Sequence, residues 1–350
     1  SIDLFKLLKI IIKKNTFIKL ISFLKIFFIL YKFLSSQIEW SEFFQTISSN
    51  LNDFTMFGCQ YEPMTPNTLL PIVIQTCPNL QSLNLRWNTI NESTLNHLSN
   101  YTQFIYLHTL DLTGCQILDD QLLIDIFIRK EENFHLKKFI LDACINITWI
   151  GLDTIAICIP NLIHLSVSRC IGLKNFSLNQ DLTCFHYWPK LEYIDFSHLM
   201  TLTDNDLTIV FDNCKYLNSL ILDECINLTE RTIHHLTSDI HMISLSNCTN
   251  FHLNTFLNLN EQCPYLYTLK LTSINNLNDS CLIKWCEQPF IHLQILIIYN
   301  CIECTLNGIE QFLDRHINLR NCSFNDNIIS DTNEKERLKK KFSKIKFVFQ

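Results

Sequence analysis

Cysteine could supply metal or disulfide chemistry, because the chain holds 16 of these residues. Only Cys301 and Cys304 form a CxxC pair. A structural zinc site takes four ligands, so it needs a second pair or histidines at ligand spacing. Neither accompanies this pair, so we predict no metal site. Secreted disulfide domains are usually short, whereas this chain has 350 residues, so we expect reduced, buried thiols.

Carboxylates and histidines could also do chemistry. His234 and His235 fall on a predicted surface helix, and HExxH, GxSxG, GxGxxG and GxxxxGK[ST] motifs do not occur in the sequence. Aspartates recur at outward strand positions of different repeats, where we interpret them as a solvated face: Asp111, Asp142, Asp195 and Asp223. We therefore predict no catalytic residue, no cofactor and no enzymatic activity.

Composition excludes one class of partner. The chain carries a formal net charge of -6 and has a pI near 6.0. Nucleic-acid binding depends largely on neutralising phosphates with basic side chains. We therefore expect no nucleic-acid partner. With 47% hydrophobic residues, the chain can bury a large core.

A recurring LxxLxLxx(C/N) segment organises the chain. We number its first leucine as position 1 and its Cys or Asn as position 9. Nine segments fit well, and those at residues 51 and 319 fit less closely. The segments begin at Leu51, Leu80, Leu107, Leu136, Leu162, Leu191, Leu217, Ile240, Leu266, Leu293 and Leu319.

Each repeat predicts one strand and one helix. The alternating L-x-L is a short strand with its leucines turned inward, and a small position 9 residue suits the turn that follows. Apolar spacing after a Ser, Thr or Asp cap predicts helices, as in 148–155 and 203–210. We predict an α/β solenoid, a horseshoe with a concave parallel sheet and convex helices.

The repeats resemble the cysteine-containing leucine-rich repeats of F-box proteins. The resemblance rests on LxxLxLxxC, on Leu202-Thr203-Asp204, and on Cys77-Pro78-Asn79-Leu80 with its counterpart at Cys263-Pro264. It covers residues 51–330. It implies a substrate-recognition subunit of an SCF ubiquitin ligase complex, a cullin-RING ligase that directs ubiquitin-dependent protein degradation.

Residues 1–50 do not fit the repeat, and three interpretations stay open. They resemble a degenerate F-box, or they form a helical cap, or they act as a targeting signal. The cap interpretation rests on apolar residues with helical spacing on one face: Trp40, Phe43, Phe44, Ile47 and Leu51. A membrane span is disfavoured, because residues 20–34 are short and contain Lys25 and Lys32. The F-box interpretation assigns adaptor docking to these residues: Leu7, Leu8, Leu20, Phe23, Leu24 and Tyr31.

Residues 331–350 are charge-dense, and we interpret them as a tail, either a solvated capping helix or a disordered end. Between these ends, the solenoid is predicted to bind a target protein on its concave face. Trp87 is either an exposed contact for that target or packs against the N-terminal cap. The predicted binding residues are Arg86, Trp87, Asp142, Arg169, His198, Asp223, Glu224 and Tyr299.

The sequence thus predicts a protein-binding scaffold. The cullin-RING subunit is the first hypothesis, with an adaptor bound by the N-terminal helices. The alternative is a repeat scaffold without ligase attachment, cytosolic or extracellular. Reduced thiols favour a cytoplasmic or nuclear location.

Overall fold

A computed structural model describes most of the repeat region. The described residues are 41, 44–45, 51–56, 65–100, 106–128, 135–174, 184–251, 255–274, 276–324, 328–329 and 331–349. They fall into two compact units. Unit 1 comprises residues up to Leu162 with Cys170–Gly172, and unit 2 comprises Ile163–Arg169 with the residues from Leu173 onward.

Unit 1 alternates strands and helices. Its strands pair in parallel and in chain order. They are β1 (Asp53–Thr55), β2 (Ser82–Asn84), β3 (Thr109–Asp111) and β4 (Lys138–Ile140). Its helices are α1 (Pro66–Thr76), α2 (Glu92–Asn100), α3 (Asp120–Ile128) and α4 (Trp149–Ala156).

Unit 2 continues the same alternation, and its strands also pair in parallel and in chain order. They are β5 (His164–Ser166), β6 (Tyr193–Asp195), β7 (Ser219–Ile221), β8 (Met242–Ser244), β9 (Thr268–Thr272), β10 (Ile295–Tyr299), β11 (Asn321–Phe324) and β12 (Lys346–Phe349). Its helices are α5 (Cys184–Tyr187), α6 (Asp204–Asn213), α7 (Glu230–His234), α8 (Leu259–Gln262), α9 (Asp279–Glu287), α10 (Leu306–Arg315) and α11 (Thr332–Lys341).

The predicted repeat is confirmed. Every strand from β1 to β11 covers positions 3 to 5 of a repeat, including those of the two weaker segments. The inward side chains at positions 1, 4 and 6 are buried, as at Leu107, Leu110 and Leu112. Thr148 and Thr203 occupy the predicted helix N-caps. Burying one such leucine contributes about 2 kcal/mol, so the stacked leucines supply most of the stability.

The C-terminal segment contains a helix, one of the two forms predicted for the charged tail, and then a strand that the sequence did not predict. Residues 332–341 form helix α11, and strand β12 pairs in parallel with β11. Phe347 packs against Phe324 of β11, with ring centroids 6.5 Å apart. The segment therefore adds a twelfth strand to the repeat order instead of ending it.

Position 9 thiols tie neighbouring repeats together. The Cys144 Sγ donates to the Leu112 carbonyl oxygen at 3.2 Å, and the Cys225 Sγ donates to the Phe196 carbonyl oxygen at 3.2 Å. The acceptor is each time the position 6 carbonyl of the preceding repeat. Burial raises the pKa of the Cys170 thiol to about 12, which keeps it protonated as a donor. No described cysteine forms a disulfide.

Position 8 has a left-handed backbone in all nine repeats that begin at residues 80 to 293. Gly114 has a φ of 72°, and the other eight residues are not glycine, with φ between 51° and 63°. Such a φ costs an L-residue about 1 kcal/mol. It turns the chain out of the sheet just before the buried position 9 side chain. These eight residues are Trp87, Ala143, Arg169, His198, Glu224, Asn247, Ser273 and Asn300.

Aspartates on the helical side form a second set of links between repeats. Asp204, at the start of α6, accepts hydrogen bonds from the Thr229 backbone N–H (3.0 Å) and hydroxyl (2.7 Å). It also accepts from the backbone N–H and the hydroxyl of Thr232. The same link joins Asp120 to Thr148 in unit 1 and Asp279 to Thr305 in unit 2.

Residues 1–40 lie outside the described residues, and so do all six predicted adaptor-docking residues. Phe44 is fully buried, and its ring lies edge-on to Phe54 of β1 at 5.9 Å. Within the described part of the chain, no helix is both long and apolar enough to span a bilayer. The same residues contain no cluster of metal-ligating side chains.

Ala143→Gly should raise the free energy of unfolding by about 0.5–1 kcal/mol, because glycine adopts a positive φ without steric cost. Chemical denaturation of the native and variant chains measures this difference. Ala156→Gly, at the buried last residue of helix α4, is the control and should lower the same quantity by about 1 kcal/mol, because it removes a buried methyl group. If Ala143→Gly instead lowered the free energy of unfolding, the left-handed turn would not be strained.

Asp204→Asn should lower the free energy of unfolding by about 1–3 kcal/mol, because it removes one acceptor oxygen from a bonded network. Burial opposes ionisation of Asp204, but the hydrogen bonds from Thr232 and Thr229 outweigh it and lower the pKa of this carboxyl. Its stabilisation is thus complete above about pH 4 and is lost as the pH falls through the lowered folded pKa. Denaturation of both chains from pH 3 to 7, with exposed Asp212→Asn as control, should show the difference shrinking at low pH. If the difference in free energy of unfolding between the native chain and Asp204→Asn did not change with pH, the ionised carboxylate of Asp204 would not have this stabilising role.

Candidate protein-interaction site

The predicted binding residues lie on the sheet and at the edge where its strands end. Three of them belong to unit 1 and five to unit 2. Four occupy the left-handed position 8, and the other four occupy position 7 beside it. The four at position 8 are Trp87, Arg169, His198 and Glu224.

In unit 1, Trp87 packs on the repeat that follows it. A Cβ atom at Gly114 would collide with the Trp87 ring, so the glycine makes room for the indole. Trp87 remains 44% exposed. The ring therefore keeps an accessible face while it packs against the next turn. The sequence also allowed Trp87 to pack against an N-terminal cap, and most of the residues of that cap lie outside the described part of the chain.

In unit 2, position 8 residues form a continuous row. We call Arg169, His198, Glu224 and Asn247 the C-edge row. Each backbone N–H donates to the position 7 carbonyl of the next repeat, at 2.7 to 2.9 Å. Adjacent members therefore stand about 4.8 Å apart, the strand spacing.

The side chains of the C-edge row also contact one another. His198 Nδ1 lies 2.8 Å from Glu224 Oε2. Asn247 Nδ2 donates to Glu224 Oε1 at 3.4 Å. Just beyond the row, Met200 is 53% exposed and Ile226 is 39% exposed. The edge thus presents polar and charged groups next to accessible apolar side chains.

Asp223 is the centre of a polar cluster on the sheet. Lys270 Nζ lies 2.7 Å from its Oδ2, and the Ser244 hydroxyl (2.6 Å) and the Ser246 backbone N–H (2.8 Å) donate to its Oδ1. Burial opposes ionisation, but these bonds prevail and lower the pKa of Asp223. The cluster holds Lys270 in place on the sheet.

The recurring aspartates are not simply solvated, which corrects the expectation from sequence. Asp111 is buried, and its Oδ1 accepts from the Thr113 backbone N–H and hydroxyl. Asp195 makes the same pair of bonds with Ser197. Burial, and to a lesser extent the charge of Asp223, raises the pKa of Asp195. Asp111 and Asp195 therefore brace the turn that follows each strand.

Tyr299 belongs to an apolar part of the sheet. It ends β10, whose outward side chains Ile295 and Ile297 are also half-buried on the same face. Its carbonyl accepts from the Ser273 backbone N–H at 2.7 Å. This bond repeats the one that links the members of the C-edge row, so Tyr299 continues the same pattern in a later repeat.

Sequence reasoning missed several members of this site. Asn247 could have been found by applying position 8 to every repeat. Met200 and Ile226 both occupy position 10, a regularity that the leucine pattern also makes visible. Lys270 carries no such signal, because it follows from a contact with Asp223 that spans 47 residues.

Comparison with known proteins places this geometry among leucine-rich-repeat proteins. F-box/LRR-repeat protein 12 of Arabidopsis thaliana is 30% identical over 126 residues, 35% of this chain and 27% of that protein. DNA repair protein rhp7 of Schizosaccharomyces pombe is 24% identical over 258 residues, 71% of this chain and 39% of that protein. The chain therefore spans well under half the length of these curated relatives. No protein-family model matches it.

A solved structure supports the fold. The crystal structure of the yeast Rad7 and Elc1 complex matches with a TM-score of 0.61 at 20% identity, over 75% of this chain and 65% of that chain. The protein thus has the fold of a leucine-rich-repeat solenoid. In sequence it is similar to an F-box/LRR-repeat protein.

Lys270→Gln should raise the pKa of Asp223, because it removes the nearest cation. In the native chain this carboxyl, with its lowered folded pKa, contributes stability that is complete at neutral pH and is lost as the pH falls through that pKa. The variant should therefore be less stable than the native chain at pH 7, and the difference should shrink as the pH falls toward 3. Chemical denaturation between pH 3 and 7 measures this difference. The control, Lys284→Gln, breaks only an exposed pair with Glu287 and should change stability little across this range. Coincident curves for Lys270→Gln and the native chain would disprove the coupling.

Proposed function

We propose that this protein is the substrate-recognition subunit of an SCF-type cullin-RING ubiquitin ligase, and that the C-edge row binds its target protein. The observation that carries the proposal is the row itself. Its side chains are in register, accessible and borne on backbone turns that hydrogen bonds hold in place.

The physical argument is pre-organisation. A partner that binds ordered side chains avoids most of the conformational entropy cost of ordering them, about 0.5–1.5 kcal/mol for each long side chain. The row combines an arginine with accessible Met200 and Ile226, and arginine is enriched among residues that dominate binding energy. Trp87 offers a further aromatic anchor in unit 1. The proposed interface is therefore mixed, with apolar contacts beside charged ones.

Attachment to the ligase is assigned to residues 1–50. The similarity to an F-box/LRR-repeat protein supports an adaptor partner, as does the yeast structure in which Rad7 is complexed with Elc1. The proposed docking residues are Leu7, Leu8, Leu20, Phe23, Leu24 and Tyr31. In this proposal the chain binds and presents a target, and its partners supply the catalysis.

The proposed location is the cytoplasm or the nucleus. The described thiols are free, and the position 9 thiols donate hydrogen bonds that a disulfide would remove. A reducing compartment keeps these donors intact.

A second candidate is a repeat scaffold without ligase attachment. One contact favours it: Phe44 is buried against Phe54 of the first strand. A segment that packs there covers the open end of the core, as terminal caps of solenoids do. The two candidates differ in what residues 1–40 bind.

A pull-down with purified cullin-RING adaptors, Elc1 among them, distinguishes the candidates. The full chain should retain an adaptor, and removal of residues 1–40 should abolish retention because it deletes the proposed docking residues but keeps Phe44. Phe23→Asp, tested in the full chain, should also abolish it, whereas Arg231→Glu on helix α7 should not. Retention unaffected by the truncation would overturn the assignment of docking to residues 1–40. No retention by the folded full chain would favour the scaffold.

A further inference from the structure

The opposite edge of unit 2, where the strands begin, exposes large apolar side chains in three successive repeats. Tyr265 is 49% exposed, Tyr267 43%, Ile291 67% and Ile317 83%. Exposed apolar residues scattered singly need no explanation, but a contiguous group marks an interaction site. Together with two basic residues they form what we call the N-edge surface: Tyr265, Tyr267, Ile291, Ile317, Arg320 and Lys346.

Backbone hydrogen bonds show that this surface is contiguous. The Gln294 N–H donates to the Tyr267 carbonyl at 3.0 Å, and the Arg320 N–H donates to the Gln294 carbonyl at 2.9 Å. The Lys346 N–H donates to the Arg320 carbonyl at 2.6 Å. These residues therefore lie at the starts of successive strands, about 4.8 Å apart.

Side-chain contacts hold the surface in one conformation. The Tyr267 hydroxyl donates to Gln294 Oε1 at 3.0 Å. Asn318 Nδ2 donates to the Ile291 carbonyl at 2.7 Å, which ties the loops that carry Ile291 and Ile317. The ring of Tyr265 lies 5.6 Å from that of His292. A partner would meet groups that are already positioned.

The charge of the N-edge surface is asymmetric. Arg320 and Lys346 are exposed and form no ion pair with any described residue. The neighbouring cations of α11 differ, since Arg337 pairs with Glu310 and Lys341 pairs with Asp314. Two cations without a partner thus lie at the end formed by β11 and β12, next to the apolar residues.

The opposite end of the surface carries the opposite charge. Exposed Asp239 directly precedes the first position of the repeat that contains β8, and Tyr265 holds the equivalent place in the next repeat. A ligand with carboxylates at one end of its apolar residues would therefore be favoured in one direction only. The carboxylates would lie over Arg320 and Lys346, away from Asp239.

We propose that the N-edge surface binds a segment of another protein in which large apolar side chains adjoin a run of carboxylates. The apolar side chains contact the two tyrosines and two isoleucines, and the carboxylates pair with Arg320 and Lys346. This interface is separate from the C-edge row, so it goes beyond the proposed target-binding site and does not depend on it. A second protein can occupy it while a target is bound.

The test uses the full chain and two fluorescein-labelled peptides, followed by fluorescence anisotropy. In the acidic peptide, Phe and Leu residues precede a run of Glu, and in the basic peptide Lys replaces every Glu. The acidic peptide should bind the native chain at least about tenfold more tightly than the basic peptide. The double variant Arg320→Glu, Lys346→Glu should reverse that preference. The matched control, Lys215→Glu with Arg231→Glu, makes the same charge change elsewhere in unit 2 and should keep it.

Replacing an exposed isoleucine tests the apolar contact without changing the net charge. Ile317→Ser should weaken binding of the acidic peptide several-fold, and Ile302→Ser should not, although Ile302 is 78% exposed on the other edge of unit 2. The proposal is overturned if the folded chain binds neither peptide saturably, or if both bind equally. It is also overturned if the charge reversal changes nothing, or if sedimentation shows a dimer that the same variants dissociate. None of these outcomes bears on adaptor retention.

Discussion

The structure depends on one constraint: every strand must leave the sheet at the same position, so that each repeat can stack on the one before it. A left-handed residue at position 8 and a buried donor at position 9 meet this constraint together. Cys144, Cys170 and Cys225 each donate to the position 6 carbonyl of the preceding repeat. Asn88 does the same with its amide, which donates to the Met56 carbonyl at 3.0 Å. One such bond contributes about 1 kcal/mol, less than one buried leucine, so the leucines supply the stability and the turn supplies the register.

The sequence predicted the features that follow from the spacing of the leucines. Leucine spacing identified eleven strands, and caps such as Thr203 placed the helix starts. It did not predict β12, because Lys344, Ile345 and Lys346 replace the leucine pattern there although the backbone pairing persists. Nor did it reveal the left-handed turns, since eight of the nine residues concerned are not glycine, and only Asn247, Asn300 and His198 among them belong to types enriched at positive φ. The Asp223–Lys270 pair depends on a contact between distant repeats, which a linear pattern does not encode.

The constraint also explains where function can reside. The side chains at positions 1, 4, 6 and 9 form the core, and those of Asp111 and Asp195 hydrogen-bond the turn that follows their strands. Apart from the contact of Trp87 with Gly114, the side chain at position 8 is exposed or half-buried, so it can vary at little cost to stacking. The residues that precede each strand have similar freedom, which is why exposed Tyr265 and Ile317 are tolerated at the N-edge surface. A repeat protein of this kind can therefore change partners while it keeps its fold.

The stability of one variant tests whether the fold is independent of the side chains of the C-edge row. In a variant with glycine in place of Arg169, His198 and Glu224, the three side chains are removed and three left-handed backbones are relieved of strain. The free energy of unfolding should equal or exceed that of the native chain, because relief of about 0.5–1 kcal/mol at each position offsets the loss of the partly exposed contact between His198 and Glu224. A loss of about 2 kcal/mol or more would show instead that the C-edge row is part of what holds the repeats together.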